Sequence, residues 1–425
     1  MKWIIIKREH YEIARKRMKV LIIGGGASGM MAALSAAEDG SNRVMLLERQ
    51  GRVGRKLLAT GNGRCNLTNL GADASRYHGA APEFVKPALE RFGVQRTLDY
   101  FRALGLLTVA EADGKVYPLS DQASSVLDVL RFAVELRGVT VVPSCDVIEV
   151  KKKARGYEAV SATGEKYFGD KLIVCCGGCA GKRLGGVKSG YFLLGQLGHS
   201  CTALYPCLTQ IETDPTWVKA LKGVRADCRV ALRRGGRVIQ ETAGELQFTE
   251  FGVSGPVAFE LSRAVSTGGE GLTLVLDLFR DYPAEALAAF LRERRERFPQ
   301  LPAEELFSGS LQSRLGKTVL KRAGIAMAEP LDSVGDARID DLCKLVKAFP
   351  LNVTGVKGFD NAQVTVGGVL VSEFRADTLE SRIAPGVFAA GEVLDIDGDC
   401  GGFNLQWAWS SGYVAGKLGK GGEDA

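Results

Sequence analysis

A glycine-rich turn near the N-terminus constrains the fold of this chain more than any other feature. An apolar run from Lys19 to Ile23 leads into the turn Gly24–Gly29, which has the spacing Gly-x-Gly-x-x-Gly. A helix of small and apolar residues follows from Met30 to Ala37, and a second apolar run, Val44 to Leu47, ends at Glu48. The turn alone is weak evidence, but strand, turn, helix, strand and acid in this order predict half of a dinucleotide-binding unit.

Each part of this pattern has a mechanical role. Gly24 permits a tight strand-to-helix turn, and Gly26 lets the backbone approach a pyrophosphate at the positive end of the helix. Gly29 allows the helix to pack closely against the strand. Glu48 lies where a ribose hydroxyl needs an acceptor. The alternative, a loop that is merely rich in glycine, leaves Glu48 and the small-residue helix unexplained.

Charge and length exclude several classes of protein. The 425 residues carry a formal charge of +6, but residues 1–19 hold seven basic and two acidic side chains and so account for +5 of it. The near-neutral body does not predict a nucleic-acid surface, and no apolar run is long enough to span a membrane. We expect a cytoplasmic protein of two or more domains, with residues 1–17 as a basic extension.

The ten cysteines predict free thiols, because a long chain without an export signal belongs in a reducing compartment. Cys176-x-x-Cys179, at the end of an apolar strand, is open to two interpretations beyond core packing. It has the spacing of a redox pair and of half a metal site. No second Cys-x-x-Cys and no nearby histidine completes a metal site, so we expect none.

A basic stretch punctuated by glycine follows Glu48 directly and extends to Asn69. Arg49, Lys56 and Arg64 are suited to phosphates or to a flavin anion, and Asn62 and Asn66 offer amides to a ring edge. The alternative is a solvated basic loop. The density of glycine and asparagine beside the charges favours a segment that lines a ligand.

The remaining pattern predicts an interrupted α/β fold. Residues 82–104 and 122–137 have helical spacing, and short strands at 139–142, 146–150, 157–161 and 166–168 form a meander before an apolar strand at 171–176 returns to the parallel sheet. This order is typical of two-dinucleotide-type folds. Residues 18–200 and 353–425 are therefore predicted to form one discontinuous domain. An insert at 201–352 interrupts it, with a β-barrel-like part at 201–280 and a helical part at 281–352.

The C-terminal segment predicts a second ligand contact. A strand ends at Gly391-Glu392, and Gly401-Gly402 precedes a last helix that runs to about Leu418. A helix that starts at a ligand-facing turn suits an anion or a carbonyl, such as the flavin pyrimidine carbonyls. The alternative is an ordinary strand-to-helix crossover, with Trp407 and Trp409 packed in the core.

Four segments together resemble a specific family: Gly24–Gly29, Lys56–Asn69, Gly244–Pro256 and Gly391–Ala408. They are similar to the bacterial FAD-binding oxidoreductases known as the aminoacetone-oxidase family, some members of which are described as NAD(P)-utilising reductases of 3-dehydro bile acids. The resemblance extends over about residues 18–418. It implies non-covalent FAD in a two-dinucleotide-type Rossmann-like domain. Asn62 and the pair Cys175-Cys176 depart from the usual pattern and alter the flavin environment.

The resemblance also implies cofactor contacts in both halves of the discontinuous domain. The residues implied are Gly24, Gly26, Ala27, Ser28 and Gly29 at the pyrophosphate; Glu48 at the ribose, with Arg49 beside it; Lys56, Arg64 and Asn66 near the flavin; Val147 at the adenine; Gly177 close to the cofactor; Gly391, Glu392 and Asp395 at the ribityl-phosphate region; and Gly402, Asn404 and Leu405 beside the isoalloxazine.

The expected activity is that of a flavin oxidoreductase acting on a small molecule. Reduced FAD passes a hydride from N5 to an electron-poor carbon, such as that of a conjugated enone. No second glycine turn follows a strand, so NAD(P)H is expected to visit the flavin transiently. One alternative is an oxidase of a small amine or alcohol. Another is a flavoprotein that binds RNA or a protein, supported only by the basic extension.

No catalytic residue is assigned from the sequence. The three histidines are His10, in the extension, His78, beside Tyr77, and His199, in a turn. His78 and Tyr77 are candidates to reach the flavin, whereas His199 is expected to be structural. In the insert, Tyr205 and the loop at 250–256 are candidates to line the substrate pocket.

Overall fold

The computed structural model describes residues 17–420 of the chain. The basic extension predicted at 1–17, and His10 with it, therefore lies outside the described residues except for Arg17. Two bodies of regular structure are present in the described part: a parallel sheet with its flanking helices, and a closed barrel with its own helices.

The strands are numbered in chain order: β1 (Lys19–Ile23), β2 (Arg43–Leu47), β3 (Thr68–Asn69), β4 (Tyr77–His78), β5 (Thr108–Ala110), β6 (Lys115–Pro118), β7 (Thr140–Val142), β8 (Val147–Lys152), β9 (Tyr157–Ser161), β10 (Lys166–Gly169), β11 (Lys171–Val174), β12 (Tyr205–Cys207), β13 (Ile211–Thr213), β14 (Arg225–Arg234), β15 (Arg237–Phe248), β16 (Gly252–Ser254), β17 (Leu272–Asp277), β18 (Phe349–Val356), β19 (Val364–Val366), β20 (Val387–Ala389) and β21 (Asp397–Gly398).

The α-helices are numbered in the same way: α1 (Ala27–Ala37), α2 (Lys86–Arg91), α3 (Val94–Ala103), α4 (Ala123–Leu136), α5 (Ser189–Gln196), α6 (Pro256–Gly268), α7 (Ala284–Arg297), α8 (Ser313–Arg322), α9 (Asp336–Lys347) and α10 (Phe403–Gly416).

The main sheet has the strand order β20-β11-β1-β2-β7, and all neighbouring strands are parallel. Its central strands β1 and β11 are buried along nearly their whole length because helices and loops cover both faces. This confirms the predicted fold class. One assignment was wrong: β7 was placed in the meander, but it pairs with β2 and closes the edge of the main sheet. The meander consists of β8, β9 and β10.

Helices α1 and α10 pack closely, which joins the two ends of the discontinuous domain. A Cβ at Gly412 would overlap the Ser28 carbonyl oxygen, and one at Gly416 would lie 2.5 Å from the carbonyl oxygen of Ala32. Ser35 Oγ also donates a hydrogen bond of 2.7 Å to the Tyr413 carbonyl. Glycine in the last turns of α10 therefore lets that part of the helix pack against the first half of α1.

The barrel closes in the order β13-β16-β15-β14-β17-β18. It extends from Ile211 to Val356, so it begins and ends later than the predicted insert at 201–352. The difference at the start arises because β12 pairs with β19 outside the barrel. Helices α7, α8 and α9 lie between β17 and β18 in the chain, and they share the barrel's apolar core.

Residues 82–104 form two helices rather than one. Helix α2 ends at Arg91, and α3 begins after Gly93, which adopts an extended conformation as its N-cap. No helix in residues 17–420 combines the length and apolar character needed to cross a bilayer.

Candidate functional site

A cleft of about 710 Å³ lies where the carboxyl ends of the parallel strands face the barrel. This is the position at which open α/β sheets bind ligands, and the volume is in the range of small-molecule sites. Fifteen of the predicted contacts line it: Gly24, Gly26, Ala27, Ser28, Glu48, Arg49, Lys56, Arg64, Asn66, Val147, Gly177, Glu392, Gly402, Asn404 and Leu405.

The N-terminus of α1 opens directly into the cleft. Gly24 has a φ of 103°, which turns the chain from β1 towards the helix, and a Cβ there would overlap the Cys175 carbonyl oxygen. Gly26 is the N-cap, and no side chain caps the helix. A Cβ added to Gly26 would meet nothing within 4 Å, so open space faces the first backbone amides. This end of the cleft fits a pyrophosphate.

Glu48 is held at the end of β2 by two backbone amides. Its Oε2 accepts a hydrogen bond of 2.7 Å from the Gly25 amide, and its Oε1 accepts one of 2.6 Å from the Gln50 amide. Each carboxylate oxygen has a second lone pair, and the side chain lines the cleft. The geometry suits acceptance of ribose hydroxyls next to the glycine turn.

Lys56 and Glu392 connect the two halves of the nucleotide-binding domain. The Lys56 Nζ lies 2.7 Å from Glu392 Oε2, and the Thr365 amide donates to Glu392 Oε1 at 2.8 Å. The carboxylate is thus already satisfied by one cation and one amide. Lys56 retains donors that face the cleft.

The end of the cleft where the flavin is predicted to bind contains an unsatisfied acceptor. Asn66 Oδ1 is buried and has no hydrogen-bond partner. A Cβ on Gly402 would lie 2.8 Å from that oxygen, and Gly402, with φ of 102°, is the N-cap of α10 without a side-chain cap. A buried carbonyl oxygen without a donor is costly, so it fits a ligand that brings a ring N–H. The residues present therefore fit FAD at both ends.

Arg64 is engaged by groups of the protein itself. Its guanidinium lies 3.9 Å from the centre of the Tyr117 ring and 2.8 Å from Glu111, and it also pairs with Asp121. These two carboxylates raise the pKa of Arg64 above its ordinary value. Its charge is therefore compensated at the rim of the cleft.

Three predicted contacts lie behind the cleft wall instead of lining it. A Cβ on Gly29 would overlap the Gly24 carbonyl oxygen, which confines Gly29 to helix–strand packing. Gly391 donates its amide to Ser411 Oγ at 2.9 Å. Asp395 is buried and accepts from the Ala80 amide at 3.2 Å, and burial raises its pKa. These residues shape the site from outside its surface.

The cysteine cluster carries free thiols. Cys175, Cys176 and Cys179 form no disulfide, and only Cys176 of the three reaches towards the cleft without being fully buried. Burial raises the pKa of Cys176 to about 12, so the thiol is protonated at neutral pH. Within residues 17–420, no three side chains of the metal-binding types come together.

The two described histidines lie outside the cleft. His78 Nε2 lies 2.7 Å from Asp399 Oδ1. His199 is buried, with Nδ1 2.8 Å from Glu373 and Nε2 2.9 Å from Ser381 Oγ. Burial lowers the pKa of His199, and a neutral ring that donates from Nδ1 and accepts at Nε2 satisfies both partners.

The insert contributes part of the cleft, but not through every predicted residue. Tyr205 is exposed and does not line it. From the loop at 250–256, Ser254, Gly255 and Pro256 do line it, whereas Glu250 pairs with Lys222 at 3.2 Å on the surface.

Several lining residues were missed by the sequence analysis. They are Lys115, Tyr117, Leu208, Arg225, Glu245, Gln247, Phe259, Val364, Ile396 and Cys400. Most of them belong to short strands, to the barrel or to the start of α6, where nothing local distinguishes a lining position. The repeated glycines at Gly252 and Gly255 were the available signal, since both mark a backbone close to other elements.

Comparison with known proteins identifies the family. The family described as HI0933-like protein Rossmann domain matches residues 18–418. The chain belongs to this family. A 3-dehydro-bile acid delta(4,6)-reductase of Clostridium scindens is 39% identical over 403 residues, covering 94% of this chain and 98% of the relative. A ribosomal RNA dihydrouridine synthase of Escherichia coli is 30% identical over 405 residues, covering 94% and 97%.

A solved structure supports the fold. The 3-ketosteroid delta1-dehydrogenase of Sterolibacterium denitrificans, in complex with 1,4-androstadiene-3,17-dione, superposes with a TM-score of 0.50 at 13% identity. The match covers 95% of this chain and 99% of that chain. The family and the cleft together make this HI0933-like protein an FAD-dependent oxidoreductase, as the sequence resemblance predicted.

Proposed function

We propose that this enzyme reduces a carbon–carbon double bond conjugated to a carbonyl group in a small apolar molecule, with NAD(P)H as the reductant. In the balanced reaction, NAD(P)H gives a hydride to the carbon β to the carbonyl and a proton adds at the α carbon, so that NAD(P)⁺ and the saturated carbonyl compound leave. FAD, when bound, supplies the relay for this hydride.

The chain's own residues would hold the cofactor and exclude water. The amides at the start of α1 face the pyrophosphate position, and Glu48 offers acceptors to the ribose. Asn66 Oδ1 and the start of α10 would meet the polar edge of the ring. Lys56, paired with Glu392 at 2.7 Å, also lines the cleft. A helix N-terminus stabilises negative charge that develops on a ring.

The acceptor end of the cleft has an apolar wall, which supports a hydrophobic substrate. Leu208, Phe259 and Val364 line it together with Ile396, and the barrel and the nucleotide-binding domain both contribute. Such a wall gives area-dependent binding energy to an apolar skeleton. The 39% relative carries the proposal, because its name describes reduction of an unsaturated 3-keto steroid acid.

The experiment is anaerobic stopped-flow spectroscopy of the purified holoenzyme with NADH and with NADPH, followed by mixing of the reduced enzyme with a steroid enone such as 4-androstene-3,17-dione. Bleaching of the flavin by a nicotinamide and its recovery by the enone support the proposal. Absence of bleaching with both nicotinamides refutes it. Peroxide formed from small amines or alcohols without a nicotinamide would instead establish the oxidase alternative.

A second candidate is reduction of a uridine in RNA, which the 30% relative favours by its name. The C5–C6 bond of uracil is also conjugated to a carbonyl, so the chemistry is of the same kind. The formal charge outside residues 1–19 is +1, which argues against an extended RNA surface. Reduced enzyme that is reoxidised by a ribosomal RNA fragment, but not by enones, would favour this candidate.

A further inference from the structure

One ion pair joins the barrel to the nucleotide-binding domain behind the cleft. Arg263 Nε lies 2.8 Å from Asp397 Oδ2, and Arg263 Nη2 lies 3.4 Å from Asp397 Oδ1. The Asp397 side chain is fully buried, and that of Arg263 is 31% exposed. A fork-shaped contact of this kind fixes orientation as well as distance.

The two residues lie on elements that each contribute a residue to the lining of the cleft. Helix α6 begins at Pro256 and places Phe259 in the cleft, one turn before Arg263. Asp397 lies in β21, three residues before Cys400, which also lines the cleft. The pair therefore connects the barrel's helix to the loop that leads into α10.

The loop after Asp397 is itself rigidly held. The Gly398 amide donates to Asn404 Oδ1 at 2.9 Å, and Asn404 Nδ2 donates back to the Gly398 carbonyl at 2.7 Å. Strand β21 pairs with β4, where Asp397 is opposite His78. Movement of α6 relative to Asp397 would thus change the cleft and leave this loop in place.

Phe259 and Cys400 meet on one small apolar cluster, formed by Cys207, Leu208 and the two valines of β19. The ion pair lies behind this contact. Separation of the two domains would break the ion pair and expose the apolar cluster to water, which is unfavourable. One arrangement of α6 against the loop is therefore favoured over all others.

We propose that Arg263 and Asp397 are a positioning pair that sets the width of the acceptor end of the cleft. The pair acts through neighbouring residues: it holds Phe259 of the barrel and Cys400 of the nucleotide-binding domain on the same apolar cluster. Its effect on cleft geometry is independent of the activity, whereas its effect on turnover rests on the proposed function.

The first test measures access to Cys400 in the holoenzyme. The protein is treated with iodoacetamide, and peptide mass spectrometry follows alkylation of Cys400 against that of Cys201, which is exposed and serves as an internal reference. Arg263→Met is expected to raise the relative rate at Cys400 about tenfold, because the remaining buried carboxylate drives the elements apart. Arg263→Lys keeps the charge but lacks the fork, so its relative alkylation rate at Cys400 is expected to lie between those of Arg263→Met and the wild-type protein.

The matched control is Arg338→Met. Arg338 makes a similar fork with Glu329, at 2.7 and 3.2 Å, but within the insert and away from the cleft. The relative alkylation rate of Cys400 in Arg338→Met is expected to equal that in the wild-type protein. If Arg263→Met does not fold, Asp397→Asn takes its place; it weakens the fork without leaving a buried charge, so it is expected to raise the relative rate at Cys400 by a smaller factor. An unchanged rate at Cys400 in the folded variant overturns the proposal.

The second test is kinetic and uses 4-androstene-3,17-dione as the probe. Arg263→Lys is expected to raise KM about fivefold with a smaller change in kcat, since the pair shapes binding rather than touching reacting atoms. A loss of kcat at unchanged KM contradicts a positioning role. If wild-type enzyme does not reduce the probe, the proposed function fails, and the alkylation result still decides the role of the pair.

Discussion

Two glycines three positions apart in the first turn are expected to fail in different ways when each is changed to alanine. Gly26 has φ of −78°, which alanine tolerates, and a Cβ there meets nothing within 4 Å. A Cβ on Gly29 would overlap the Gly24 carbonyl oxygen and would lie 3.3 Å from Cys175 Cβ. Gly26→Ala should therefore impair ligand binding, and Gly29→Ala should impair folding.

The magnitudes follow from these contacts. Alanine is a poorer N-cap than glycine, so Gly26→Ala should lower the free energy of unfolding by about 0.5–1 kcal/mol. The methyl group occupies the space through which the amides reach a phosphate, and hydrogen bonds to charged groups contribute about 1.5–3 kcal/mol each. Loss of about 3 kcal/mol corresponds to roughly a hundredfold rise in the Kd of FAD. Gly29→Ala should lose about 1–3 kcal/mol or more of stability through overpacking.

The assay is titration of apoprotein with FAD, followed by quenching of flavin fluorescence, together with urea unfolding of the apoprotein. Gly195→Ala is the control, because Gly195 lies in α5 with nothing within 4 Å of its Cβ position. It should bind FAD normally and unfold at slightly higher urea, since alanine is the better helix former. The reasoning fails if Gly26→Ala binds FAD as tightly as wild type, or if Gly29→Ala unfolds as wild type does.

Three further predictions concern the ribose contact, the thiols and a buried histidine. Glu48→Gln removes the charge and one acceptor, and should weaken FAD binding by about 1–2 kcal/mol in the same titration; unchanged affinity contradicts the ribose assignment. The double variant Cys176→Ser/Cys179→Ser should keep the wild-type rate of flavin reduction in stopped flow, because burial raises the pKa of both free thiols and so disfavours the reactive thiolate; a large loss would establish a redox role. Burial holds the pKa of His199 below its ordinary 6.5, so unfolded protein takes up more protons, and stability should fall as pH drops below about 6.5. Urea unfolding against pH should show a shallower fall in His199→Gln; an equal slope contradicts this.

The cofactor end of the cleft was predictable because its signals are local. Gly24 and Gly26 act within a single turn, and Glu48 follows its own strand, so spacing along the chain fixes their positions in space. The sequence also predicts a second ligand contact at the start of the last helix, because Gly402 directly precedes that helix, and Gly402 lines the cleft. The main sheet followed from continuous apolar runs at β1 and β11.

The errors arose where pairing between distant segments decides the structure. Thr140–Val142 has the composition of any short strand, and only its pairing with β2 assigns it to the main sheet. The barrel's end at Val356 depends on β18 pairing with both β13 and β17. Asp395 follows a predicted strand that ends at Gly391, where an acid that binds a ligand is expected. In the structure its carboxylate accepts a hydrogen bond from the Ala80 amide and does not line the cleft. The spacing of residues along the chain does not reveal a hydrogen-bond partner that is distant in sequence and competes with the ligand for the same side chain.

The same contrast between local signals and long-range packing distinguishes the residues predicted to bind FAD from those proposed to select the electron acceptor. The predicted pyrophosphate and ribose contacts come from one continuous segment whose geometry follows from the turn and its helix. The acceptor end is assembled from Leu208, Phe259 and Val364, which lie on three separate segments and meet only through tertiary packing. A change in barrel packing can therefore alter the acceptor pocket without touching any FAD contact. Acceptor choice in this fold should thus depend on how α6 packs against the loop before α10.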